Sequence, residues 1–454
     1  MNSDNLFKDF SKSSSADWKA QIEKDLKGKA FSQLISTTAD GIEVQPFYHK
    51  DNTETKPQPT KKQASWNIVQ ELFVADAKQA NKEALDHLNR GANALLFYLY
   101  DNTDLGQLLS EIELPYINCH FVVEGNAAAF AKSLNTLIAN RGWNPGELHG
   151  SVNMDCLESI ARTGNWKSNQ QNDFEDIKTL GSTLPKGFKN VCINANLFGN
   201  AGATLSQQLG IALGMGYEYV HQLEPKDSQG FWFNFAIGSD YFGEISKLRA
   251  FRRLWLQMQN ELDLPAEEIS IYAETALRNK TILDAYNNQI RTTSEAMAAA
   301  IGGANEISVK GFNHTYKEPD FFGERIAKNQ QNILEHESHL SAVSDISKGT
   351  YFIETLTEEL AQKGWDFFKA IESQGGYIAS LQNGWLQSQV EESANKEQLA
   401  FDEKNNVLIG ANKHAKTNEN LTDLIEYGMF AGKDKETEIQ RIVPRRLSEG
   451  LEKP

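Results

Sequence analysis

The residues best suited to chemistry lie in AYNNQIRTTSEAMAAAIGGANEI (285–307). Here two amides, an arginine, two hydroxyls and a carboxylate lead into an Ala/Met-rich helix that the pattern starts near Thr292. The preceding strand ends near Thr275, so Tyr286, Asn287, Asn288, Arg291 and Thr292 fall on a strand-to-helix connection, where functional loops concentrate. Arg291 could take an anionic group and the amides could orient a polar ligand. The same residue types also cap helices and pin loops, and the spacing supports both readings equally. A second stretch, NLFGNAGATLSQQLG (196–210), combines a strand end, a glycine-rich turn and a helix start. Its small residues permit close backbone approach, to a ligand or to a neighbouring loop. It lacks the G-K-[ST] of a triphosphate cradle. Lys247, Arg249, Arg252 and Arg253 form a basic group within GEISKLRAFRRLW. They suit a phosphate-bearing ligand or an ion-paired helix surface, although helical spacing keeps Lys247, Arg249 and Arg253 off any single face. His336 and His339 stand at i, i+3 with only Glu335 and Glu337 for company, a poor metal set. Neither a G-x-S-x-G elbow nor a close Cys–His pair occurs.

The elements that must position these residues alternate in type. Strand-like runs occur at 94–100, 116–123, 149–154, 190–198, 231–238, 269–275 and 306–312, separated by helical patterns such as AKQANKEALDHLNRG and FGEISKLRAFRRLWLQMQNEL. Strands alternating with helices build a parallel sheet. Seven visible units between residues 66 and 345 approach the eight of a (β/α)8 TIM barrel, so the expected class is α/β with that barrel at its centre. An open doubly wound sheet is the alternative, but no G-x-G-x-x-G follows the first strand. Residues 1–65 read as an amphipathic helix followed by an extended, proline-bearing arm suited to partner contact. Residues 346–454 read as a helical extension and a polar tail, with Thr355 and Glu358 at capping-box spacing and a stop at Gly375-Gly376.

Composition narrows the function classes. A formal charge of −16 offers no basic face to nucleic acid. No apolar run reaches membrane-spanning length, and the start MNSDNLFKDFSKSS has no signal-peptide core. Cys119, Cys156 and Cys192 are scattered within apolar runs, which fits reduced thiols and a cytoplasmic location.

Several long blocks together resemble the methylmalonyl-CoA mutase family. They are GIEVQPFYHKD, FGEISKLRAFRRLW, DAYNNQIRTTSEAMAAAIGGANE, ERIAKNQQNILEHESHL, GTYFIETLTEELAQKGWDFFKAIESQGG and VLIGANK, in matching order over most of residues 15–415. The resemblance implies a barrel threaded by an acyl-CoA. In active chains a C-terminal flavodoxin-like domain brings adenosylcobalamin to its mouth. That domain carries D-x-H-x-x-G, and none of the nine histidines here has Asp two residues before it. Active barrels read approximately G-Y-H-x-x-E-A-G-A-T where this chain has Leu197 for the histidine and Asn200 for the glutamate. Their H-x-Q-T is Tyr272-Ala273-Glu274-Thr275, the Gln before the Tyr-Asn-Asn block is Leu283, and the proline is Ala285. Their R-Q-Y falls on Val69-Gln70-Glu71. Leucine cannot donate a hydrogen bond to a reacting carbonyl, so that assistance is lost. Retained family-motif residues are Asn287, Asn288, Arg291, Thr292, Lys247 and Arg249.

Some members of the family pair a large catalytic chain with a related inactive small chain, which WNIVQELFVADAKQANKEALDHLNRGANALLF resembles in particular. The expectation is a subunit without catalytic, cofactor or metal residues of its own. A large subunit would bind adenosylcobalamin and acyl-CoA and isomerise succinyl-CoA and methylmalonyl-CoA. Two alternatives are a catalytic barrel that borrows a separate cobalamin-domain protein, and a non-catalytic acyl-CoA-binding protein.

Overall fold

In a computed structural model, residues 13–53, 58–224, 228, 230–265, 268–416 and 436–452 are described. The opening segment 1–12, most of the tail beyond 416 and the last two residues lie outside them. Eight parallel barrel strands follow in chain order: β1 (Asn67–Phe73), β2 (Ala94–Tyr100), β3 (Asn118–Glu124), β4 (His149–Asn153), β5 in two pieces (Phe188–Lys189 and Val191–Asn194), β6 (Phe231–Ile237), β7 (Ser270–Thr275) and β8 (Glu306–Ser308). The first piece of β5 pairs with β4 and the second with β6. On the other side β8 pairs with β1, Glu306 opposite Asn67. The ring therefore closes through β5, interrupted at Asn190, and the expected α/β barrel is the fold.

Strand alternation divides the side chains into two sets. Outward residues such as Leu95, Phe97, Cys119 and Phe121 pack under the helix ring, in two large apolar clusters that contain most of the core. Inward residues fill the lumen with a smaller cluster around Val69, Leu96, Cys192, Trp232 and Tyr272. Gly150 in β4 is required by this closeness: a Cβ there would lie 1.8 Å from the carbonyl oxygen of Cys119. All three cysteines are buried and unpaired.

Four differences from the sequence reading are local. The eighth strand is Asn67–Phe73, whose Gln70 and Glu71 break up the apolar run that marks the others. The run 190–198 is strand only to Asn194; residues Asn196–Ala201 form a short helix ended by Gly202 at φ +102°. The helix placed near Thr292 begins at Asn287. Thr355 is inside the helix Tyr351–Ser373 rather than at its start, its hydroxyl donating to the carbonyl of Tyr351.

The helix Ser15–Asp25 starts in a full capping box made by Ser14 and Asp17 and buries no residue of its own. Lys61, further along the arm, is buried at the barrel base, where its ammonium donates to the carbonyls of Ser65 and Ala304, each at 3.0 Å. Among the described residues no helix is long and apolar enough to cross a membrane.

Candidate functional site

The barrel lumen is the natural place for a ligand, and it is occupied by the protein's own side chains in two polar layers. In the lower layer the carboxylate of Glu306 accepts from Asn118 Nδ2 (2.6 Å), His120 Nε2 (3.0 Å) and Trp232 Nε1 (3.0 Å). His120 Nδ1 meets Ser151 Oγ at 2.8 Å. The His120 and Trp232 rings stack at 5.3 Å, and Trp232 lies 4.7 Å from Tyr272. Burial alone would raise the Glu306 pKa, but the adjacent imidazole and the converging donors hold it at about 2.

In the upper layer Glu71 accepts from Tyr272 Oη (2.9 Å), Ser308 Oγ (2.7 Å) and Lys310 Nζ (2.6 and 2.7 Å). Tyr98 Oη reaches it at 3.2 Å. Burial again opposes ionisation, and Lys310 overrides it, leaving Glu71 at about 2. Lys310 also lies 3.3 Å from Glu274, and the two carboxylates outweigh its burial to raise its pKa. Glu274 in turn accepts from Asn196 Nδ2 at 2.8 Å. A buried charge left alone in such an interior costs several kcal/mol, so these carboxylates and the lysine hold one another in place.

Glu306, Ser308 and Lys310 are consecutive inward positions of one strand and its extension, as are Val69 and Glu71. Sequence reasoning marked Glu71, Tyr272 and Glu274 as altered positions and missed His120, Trp232, Glu306, Ser308 and Lys310, each of which looks isolated. The period-two recurrence of Glu, Ser and Lys in EISVK was the available signal.

Above this plug, at the C-terminal ends of the strands, a cavity of about 670 Å³ opens between β2 and β7. Its walls carry Asn153, Asn194, Asn196 and Asn234, with Asp155 and Glu158 beside them. Asn194 exchanges bonds with Asn153 and gives its backbone N–H to Asp155 at 2.7 Å. Burial raises Asp155 and lifts Glu158 to about 7, against the pull of Arg162. The arrangement is a hydrogen-bonding hollow walled by amides and carboxylates, with a closed floor.

Of the residues singled out in the sequence, Glu71, Tyr272 and Glu274 belong to this lumen; the others lie elsewhere. Leu197 is 4% exposed and turned into the main apolar core. Asn200 joins two loops, its side-chain oxygen accepting from Leu277 N at 2.8 Å. Leu283 packs against Ile282 and Tyr316, with Ala285 in the same cluster. Asn288, fully buried, donates to the carbonyls of Thr281 (2.8 Å) and Phe312 (3.0 Å) and accepts from Arg291 at 2.7 Å. Arg291 also binds the carbonyl of Ile409, Asn287 holds Asp284 at 2.7 Å, and Thr292 returns to the carbonyl of Asn288. The whole block therefore serves as cap and loop anchor.

The basic group is also turned inward. Lys247, fully buried, binds Glu244 (2.6 Å), Gln208 (2.8 Å) and the carbonyl of Ala236 (2.7 Å). Arg249 pairs with Asp345 and Glu354, Arg252 with the carbonyls of Ile269 and Gly303, and Arg253 with Glu358. His336 and His339 are exposed. Among the described residues no group of three or more His, Cys, Asp or Glu could hold a metal ion.

With this geometry in hand, the chain can be set against known proteins. The family profile described as methylmalonyl-CoA mutase matches residues 99–452. The methylmalonyl-CoA mutase small subunit of Porphyromonas gingivalis is 33% identical over 449 residues, spanning 92% of this chain and 72% of that protein. The corresponding small subunit of Streptomyces virginiae is 32% identical and spans 80% and 62%. The methylmalonyl-CoA mutase of Rhizobium meliloti is 28% identical and spans 90% and 65%. The chain thus covers between 62% and 72% of the length of these relatives.

Proposed function

The chain belongs to the methylmalonyl-CoA mutase family, and from that premise we propose that it is a non-catalytic subunit supporting a larger catalytic chain. The observation that carries this reading is the lumen. A ligand as long as an acyl-CoA would have to displace Trp232, Tyr272 and the Glu71–Lys310 pair, leaving several buried ionised groups unpartnered. Leu197 at the position of the family histidine points the same way, since it is apolar and packed into the core. The two small-subunit relatives add weight, being named as one component of a mutase.

Adenosylcobalamin supplies radical chemistry to mutases of this family. The residues of this chain do not fit it as a cobalt ligand set. His87 and His120 are committed to buried partners, and His314 is enclosed beside a pocket of only about 40 Å³. Burial and the neighbouring Lys310 hold His314 at about 4. The cofactor and the acyl-CoA are accordingly assigned to the large subunit, which would interconvert succinyl-CoA and methylmalonyl-CoA. This chain would contribute a pseudo-twofold interface and stabilise its partner by mass action.

Calorimetric titration of the purified chain with CoA and with succinyl-CoA tests the closed lumen. The expected result is no saturable heat with either. Stoichiometric binding would revive the non-catalytic acyl-CoA-binding alternative. Turnover by this chain with a separate cobalamin-domain protein would revive the catalytic one.

A further inference from the structure

The described tail, residues 436–452, contains no helix or strand, yet it is fastened to the barrel along its length. At one end it completes the helix Cys156–Thr163, whose last carbonyls have no intrahelical donors. The N–H groups of Glu438 and Ile439 donate to the carbonyl of Gly164 (2.9 and 3.1 Å), and that of Ile442 donates to the carbonyl of Ala161 (2.8 Å). Midway, Arg445 N donates to the carbonyl of Asn200 and Leu447 N to that of Arg278. At the other end the Glu452 carboxylate accepts from Thr281 Oγ1 (2.8 Å), Ile282 N (3.0 Å), Ser448 Oγ (2.6 Å) and Arg446 Nη1 (2.7 Å). Ser448 is fully buried and Glu452 is 6% exposed.

The successive contacts fall on the connections after β4, β5 and β7, all at the C-terminal end of the barrel. Two of those connections, through Glu158 and Asn196, wall the large cavity. The bonds this segment makes within itself are confined to the turn from Arg446 to Glu452, so the rest of it takes its order from the barrel surface. Between its ends the apolar residues Ile439, Ile442 and Leu447 are set into the barrel surface, and bonds to the carbonyls of Gln440, Arg445 and Leu447 from Gln387, Arg278 and Gln398 keep the row of contacts unbroken.

We propose that residues 436–452 form a latch that releases as one cooperative unit and couples the β4 and β7 sides of the barrel mouth, with Glu452 as its bolt. While the latch is seated, the mouth loops keep one arrangement without help from a ligand. Release at either end frees both sides together, because one unbroken row of contacts to the barrel, and no helix or strand of its own, keeps the strap ordered. This is independent of whether the chain is catalytic.

Hydrogen–deuterium exchange on the full chain, resolved to peptides, is the test, with Glu452→Gln at one end and Ile439→Ala at the other. Gln keeps the shape of the glutamate but turns an amide donor toward Arg446, Ser448 or Thr281. Glu452→Gln is expected to speed exchange about ten- to hundredfold at Ile282 and Leu447 and, by a similar factor, at the distant Ile439 and Ile442. Ile439→Ala is expected to produce the same pattern in reverse, reaching Ile282. Faster exchange confined to the mutated end, or no change, overturns the proposal. Ser448→Ala, a milder loss at the same end, keeps the test open if Glu452→Gln lowers the thermal midpoint of the whole protein; it should give the same two-ended pattern with smaller factors, and a local pattern there also overturns it.

Discussion

At the scale of single residues, the lumen carboxylates decide what the barrel can hold. Glu306 has a folded pKa of about 2 against an ordinary 4.5. Its contribution to stability is therefore complete above pH 4.5 and is lost as the pH falls from 4.5 toward 2. A shift of that size corresponds to about 3 kcal/mol. Urea denaturation between pH 6 and pH 3 should show the gap between the wild type and Glu306→Gln narrowing as the pH falls; parallel curves would mean that Glu306 is not ionised in the folded protein. Lys61 acts with the opposite sign. Burial lowers it from 10.5 to about 8, so the folded state disfavours its charge. Stability should rise as the pH goes from 8 to 10.5, and Lys61→Met should remove that rise in the same denaturation series. Leu197→His, finally, places an imidazole in an apolar core rather than over a ligand. It should leave this chain inactive in a mutase assay with adenosylcobalamin and lower its stability by about 1–3 kcal/mol; turnover by the variant without a partner would sink that reading.

At the scale of elements, close helix crossings hold the C-terminal extension to the barrel. Gly210 on Leu205–Gln222 faces Gly364 on Tyr351–Ser373, and a Cβ at Gly210 would lie 2.8 Å from Phe368 N and 2.9 Å from Gly364 O. Gly210→Ala should therefore cost about 1–3 kcal/mol in a thermal denaturation series. Gly450→Ala, where nothing lies within 4 Å, should change stability by less than about 0.5 kcal/mol. The elements also show what a sequence can disclose. Ala94–Tyr100 was legible to the residue because a strand buried on both faces reads as one apolar run. β1 was not, since Gln70 and Glu71 interrupt its apolar run. The helix Asn196–Ala201 was hidden within an apolar run too short to separate helix from strand. The latch could not be read at all: Ile439, Ile442 and Leu447 sit in coil, where burial has no period. The loop residues Asn288, Arg291 and Thr292 were legible as important but not as ligand-facing or structural, because amides and hydroxyls serve both uses.

At the scale of the whole molecule, the barrel keeps the family's frame and has turned its interior into core. The family blocks persist where they cap, pair and pack, at Lys247, Arg249 and Asn288. Leu197 is packed into the core, and Tyr272 and Glu274 are tied into the lumen network. The proposed role is that of a scaffold for assembly, and the most direct test is reconstitution. Mutase turnover should be measured with adenosylcobalamin for this chain alone, for the large chain of the same mutase alone, and for the two mixed. No turnover is expected from this chain alone, with all activity following the large chain and this one adding stability or rate. Succinyl-CoA turnover by this chain without the large one, whether alone or with a free cobalamin-domain protein, would contradict it.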